Sequence, residues 1–145
     1  MRPGDPTTML AGTGGAGIFR SGDGGASWMP SQTGLPVDLM IAAIAFAPSA
    51  PDTVYAATRE GGAVRSNDGG RSWQQVWSDS SVVDVAVDAF DHRRVVVTAF
   101  IGVYLSTDGG ATWRELLRAW IASRRSACCS PHRYQAGSTW PARPA

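Results

Sequence analysis

The stretch Ser66-Asn67-Asp68-Gly69-Gly70-Arg71-Ser72-Trp73 decides how this chain folds, because it occurs three times. Ser21 to Trp28 (SGDGGASW) and Ser106 to Trp113 (STDGGATW) are the other copies, and each reads Ser-x-Asp-Gly-Gly-x-(Ser/Thr)-Trp. Adjacent glycines supply positive φ at no steric cost, so each copy marks a tight chain reversal. The Asp carboxylate can accept hydrogen bonds from nearby backbone N–H groups and hold the loop shut, and the hydroxyls at either end add further short-range bonds. The tryptophan offers a large apolar plate for packing on a neighbour. Every one of these tasks is mechanical.

The copies begin at Ser21, Ser66 and Ser106, 45 and then 40 residues apart, a period expected of a four-stranded propeller blade. Similarity continues upstream of the turns. Ile44 and Phe46 align with Val85 and Val87, alternating with the small Ala45 and Ala86, which predicts a buried strand. Thr53 to Thr58 matches Arg94 to Ala99 as a second strand; a glycine-containing loop (Gly61 and Gly62, then Gly102) leads into a third. The fourth is expected to begin at the tryptophan. Before the first copy, Asp5 to Thr13 matches only the second strand, so that unit is expected to lack its inner strand. The reading is therefore all-β: a partial β-propeller of about three four-stranded antiparallel blades over residues 1–118. One blade cannot bury both of its faces, so blades must stack.

In these repeats the chain resembles the BNR/Asp-box propellers, a superfamily that includes sialidases, xyloglucanase-type glycoside hydrolases, the sortilin luminal domain and photosystem II assembly-factor propellers. The resemblance runs from about Asp5 to Leu117 and is most family-like in APSAPDTVYAAT and the following GGAVRSNDGGRSW. It implies that the box lies at the blade periphery, on the face opposite the substrate site. It further implies structural roles for Ser21, Asp23, Gly25 and Trp28, for Ser66, Asp68, Gly70 and Trp73, and for Ser106, Asp108, Gly110 and Trp113.

Composition removes several function classes. A net charge of +1 gives no argument for nucleic acid, and no segment approaches the roughly 20 apolar residues that span a bilayer. No signal peptide is evident after Met1, so the chain reads as soluble and its compartment stays open; relatives are often secreted or periplasmic. From Ala119 onward the pattern stops: residues 119–145 hold four arginines, both cysteines and none of the 12 acids. That segment reads as an irregular basic tail, disordered or frameshifted. Cys128, Cys129 and His132 there do not follow a metal-site spacing, and no metal or other cofactor is expected.

A catalytic constellation is equally absent from the pattern. Arg20 and Arg65 stand at equivalent positions before the box, which favours a repeat-encoded structural role over a substrate-binding arginine triad. Asp38, Asp79, Asp84 and Asp88 are the acids near loops or inner strands, but no spacing singles out a glycosidase pair. His92, between Asp91 and Arg93, reads as a solvated turn residue. The loops opposite the box form the natural binding face for a protein or carbohydrate ligand, with Asp38, Arg59, Glu60 and Asp79 as candidates beside Gly34–Val37 and Ser80–Ser81. The expected function is a non-catalytic recognition or assembly scaffold. The alternatives are a fragment of a secreted glycoside hydrolase or sialidase, and a truncated gene product without a function of its own. Three blades leave two end faces open, which predicts self-association, a partner supplying further blades, or aggregation.

Overall fold

The computed structural model describes residues 1–36, 39–78 and 82–118. These residues form no helix, and none that could cross a membrane. They form three antiparallel sheets, one per repeat. The first contains β1 (Met9–Gly12), β2 (Ile18–Ser21) and β3 (Met29–Pro30). The second runs in order through β4 (Ile41–Ala47), β5 (Ala50–Thr58), β6 (Gly62–Ser66) and β7 (Gln74–Trp77). The third repeats it with β8 (Val82–Val87), β9 (Val95–Ala99), β10 (Gly102–Ser106) and β11 (Arg114–Arg118). Every sheet is a meander, each strand hydrogen-bonded to the next in sequence. In the first sheet β1 takes the place of β5 and β9.

Strand boundaries differ from the sequence reading in three places. β5 begins at Ala50 rather than Thr53, because Ala47 pairs with Ala50 across a tight turn at Pro48 and Ser49. β9 begins at Val95 rather than Arg94, whose N–H closes a turn on the Asp91 carbonyl. The last strands start one residue after the tryptophan. At Trp73 the backbone N–H bonds the Thr33 carbonyl of the first repeat.

Period-2 alternation sends successive β5 side chains to opposite sheet faces. Val54 and Ala56, with Val64 of β6, join Ile18, Leu39, Ile41 and Trp73 in a core between the first two sheets. Tyr55 and Ala57, with Ala63, join Val82, Val85, Val95 and Val97 in a core between the second and third. The central sheet is thus apolar on both faces, and neither core could exist without two sheets. Ile44 and Phe46 line the first core and Ala43 and Ala45 the second, so the small residues of β4 sit where the third sheet comes close.

The turn glycines differ in what surrounds them. Gly24 and Gly70 both have positive φ, at 74° and 83°. A Cβ on Gly24 would meet nothing within 4 Å, whereas one on Gly70 would lie 2.6 Å from a Leu10 methyl of the preceding sheet. Gly24→Ala should therefore cost about 1–2 kcal/mol, the left-handed backbone penalty alone. Gly70→Ala should cost about 1–3 kcal/mol more, because it also overpacks the first core. Urea unfolding of the two variants checks the difference.

Candidate functional site

The three repeat turns share one hydrogen-bond pattern. In the second, Asp68 Oδ1 accepts from Ser66 Oγ (2.7 Å), Arg71 N (2.8 Å) and Ser72 N (2.9 Å), while Oδ2 accepts from Ser72 Oγ (2.5 Å). Ser66 Oγ in turn accepts from the Gly70 N–H at 2.9 Å. Asp23 does the same with Ser21 and Ser27, and Asp108 with Ser106 and Thr112. The first glycine of each pair bonds back to its own sheet: Gly24, Gly69 and Gly109 donate to the carbonyls of Thr7, Asp52 and Arg93.

These bonds favour the ionised carboxylates. Asp23 is held well below the usual range by the Ser27 hydroxyl and N–H and by Ser21. Burial pushes Asp68 up, but the bonds from Ser72, Ser66 and Arg71 outweigh it and leave it well below that range too. Asp108 is pulled down to about 2, chiefly by Thr112.

The same turns also reach the preceding sheet. Trp73 Nε1 donates to the Ser31 carbonyl, and Trp113 Nε1 to the Val76 carbonyl, both at 3.1 Å. Ser31 and Val76 hold equivalent places at the last strand of their repeats. Ser31 Oγ also bonds the Gly70 carbonyl. In the opposite direction, Arg20 Nε donates to the Gly69 carbonyl (3.3 Å) and an Arg65 guanidinium nitrogen to the Gly109 carbonyl (3.2 Å). Each arginine before a box thus clamps the next box. Tyr55, fully buried beneath Arg65, donates its hydroxyl to the His92 carbonyl at 3.0 Å, and that burial raises its pKa. His92 is half-buried at this junction, not a freely solvated turn residue.

The opposite end of the sheets carries the candidate binding loops. Arg59 and Glu60 are exposed there, and Glu60 accepts a 3.2 Å bond from the Met40 N–H. Asp38 and Asp79 lie outside the described residues, as do Val37, Ser80, Ser81 and residues 119–145 with Cys128, Cys129 and His132. Asp84 accepts from its neighbour Val85 N, and Asp88 caps its own turn through Phe90 N and Asp91 N. Asp84 and Asp88, the described candidate acids, are thus each bonded to local backbone. No group of His, Cys, Asp and Glu among the described residues could hold a metal ion.

Two features escaped the sequence reading. Phe100 and Ile101, 59% and 47% exposed, occupy the β9–β10 turn where the second sheet has Arg59 and Glu60. Aligning the repeats places them there, but nothing in the pattern marks them as exposed. Arg2 bridges Asp5 (3.3 Å) and Asp52 (2.8 Å), joining the first two sheets at the box end through a residue that precedes the repeats.

No family model and no curated protein matches this chain. Solved structures do. An ancestral GH74 enzyme superimposes with a TM-score of 0.70 and 28% identity, over 80% of this chain and 18% of that one. The fold is that of β-propeller blades. The GH74 xyloglucanase from Xanthomonas campestris follows at TM-score 0.64 and 21% identity, covering 79% of this chain and 22% of that chain. YCF48 bound to D1 peptide gives 0.60 and 18%, covering 79% and 42%. The chain thus spans less than half the length of each of these propellers, and its three sheets are successive blades.

The geometry of the turns sets an acid limit on the blades. Their carboxylates have folded pKa values below the ordinary 3.8, so their contribution is complete above about pH 4 and lost as the pH falls through the folded values. Unfolding followed by circular dichroism should show stability declining from pH 4 toward 2, and Asp68→Asn should make that decline shallower. Ser66→Ala leaves the buried Gly70 N–H without its acceptor and should cost about 1–3 kcal/mol at pH 7.

Proposed function

We propose that this chain is a non-catalytic segment of a BNR/Asp-box propeller that serves as a recognition or assembly scaffold. One observation supports this above others: the acids that the repeats place most regularly, Asp23, Asp68 and Asp108, direct both carboxylate oxygens into their own turns. A carboxylate so engaged and so firmly ionised is suited neither to donating a proton nor to attacking a substrate carbon. The boxes on this reading are joints. Recognition falls to the other end, where Arg59, Phe100 and Ile101 are exposed on turns held by rigid strands. A protein or carbohydrate partner fits such a mixed surface, and YCF48, of like fold, holds a peptide. The end faces of the arc, in addition, require further blades or another copy to cover them.

A second reading draws on the 28% identity to an ancestral GH74 enzyme: the chain is a fragment of a glycoside hydrolase that keeps a catalytic acid of its own, Asp38, Asp79 or Asp84. The two readings separate in one assay. The purified chain is expected to leave xyloglucan, other β-glucans and sialosides unhydrolysed. Turnover that disappears on changing Asp38, Asp79 or Asp84 would replace the scaffold reading with the hydrolase one.

A further inference from the structure

The two junctions within the chain are built alike, and each needs two unlike halves. The following blade supplies a box turn: its second glycine approaches the preceding blade, and its tryptophan Nε1 donates to a last-strand carbonyl. The preceding blade supplies that carbonyl and an apolar rest for the glycine. The rest differs in position: a Cβ on Gly70 would meet Leu10 of β1 at 2.6 Å, and one on Gly110 would meet Val76 of β7 at 2.8 Å, so a junction at Leu116 follows the second pattern.

One unused half of each kind remains at the ends of the described arc. Trp28 is 40% exposed, against 5% for Trp73, and its Nε1 reaches only the Gly25 carbonyl of its own turn. Trp113 makes that same internal bond together with the one to Val76. A Cβ on Gly25 would meet only Met9 and Trp28 of its own blade, no closer than 3.6 Å. At the other end Leu116 stands where the second blade has Val76, is 49% exposed, and lines a cleft of about 380 Å³ with Ala86, Val96 and Leu105, rimmed by Asp88 and Arg94. Leu117, at the place of Trp77, is 66% exposed, whereas Trp77 is covered by Trp113 at a stacked ring distance of 5.3 Å.

We infer that these faces are the two halves of one more junction, closed by a second copy of this chain bound head to tail. Trp28 Nε1 of one copy donates to the Leu116 carbonyl of the other, and Gly25 rests on the Leu116 side chain. Because both halves belong to the same molecule, two copies related by a twofold axis form two such junctions. Two three-bladed arcs give six blades, within the four to eight that close a propeller. This inference rests on the reading that the end faces need covering, and it adds which face meets which.

The junction has one defect that makes it testable by gain as well as loss. The position of Arg20 and Arg65 is occupied by Leu105 in the third blade, so the clamp on the next box carbonyl is missing. Light scattering during size exclusion over a range of concentrations should show a species of twice the 15.3 kDa chain mass. Trp28→Ala and Leu116→Asp should each return the chain to monomer while circular dichroism shows it folded, since neither side chain belongs to the two cores of the single copy. Mixing the two variants should restore a heterodimer, because one complete junction survives only in a head-to-tail pair. Leu105→Arg should move the dimerisation midpoint about a hundredfold lower, because the twofold dimer gains two charged hydrogen bonds, each worth about tenfold. A folded monomer at every concentration overturns both the inference and the need for covered faces. Association that ignores Trp28→Ala, Leu116→Asp and Leu105→Arg overturns the inference alone, and points to the free edge of β1 or to residues 119–145 as the contact.

Discussion

A β-sheet that is apolar on both faces cannot hide both by itself, and everything else in this structure answers that constraint. Isolated, the second blade would expose Val54 and Val64 on one face and Tyr55 and Ala63 on the other. Stacking buries them to 1% exposure or less. Hydrophobic burial is non-directional, however, and would permit many offsets between two pleated surfaces. The offset is set by polar contacts at the rim: the tryptophan Nε1 on a last-strand carbonyl, the arginine on a glycine carbonyl, the Tyr55 hydroxyl on His92. Each is modest in energy, yet each has a fixed length and direction, so together they select one register from the many that apolar packing allows.

The turns can carry out that task because their own needs are met internally. Ser66 and Asp68 satisfy one another and the backbone around them, which leaves the Gly69 and Gly70 carbonyls pointing outward as acceptors for the neighbouring blade. The small size of Gly70 then lets the turn approach Leu10 more closely than any side chain would allow. Local closure and long-range contact are therefore coupled through eight contiguous residues, and this coupling accounts for the repetition of the whole octet rather than of its aspartate alone.

Much of this was legible in the sequence because it is encoded contiguously. The octets, their spacing and the alternation through Ile44–Phe46 and Val85–Val87 carry the all-β propeller fold and its three antiparallel sheets. What could not be read is what depends on contacts between blades. The tryptophans were visible as packing plates, but the direction in which they pack, and the backbone bond from Trp73 to Thr33, arise only when the preceding blade is in place. Arg20 and Arg65 were recognisable as equivalent, yet their acceptors lie on a different repeat. For the candidate binding face, Arg59 and Glu60 stand exposed as their loop position suggests, and Phe100 and Ile101 stand exposed at the same place in the third blade.

The polarity of the junction has an evolutionary corollary. Every unit of about 40 residues carries an acceptor strand on one side and a donor turn on the other, so a tandem duplication of its coding segment yields a copy whose two sides already match what flanks the insertion point. No compensating change elsewhere is required at the moment of duplication. Divergence can then proceed where the junction imposes least, in the turns at the opposite end, as the exchange of Arg59 and Glu60 for Phe100 and Ile101 illustrates within this single chain.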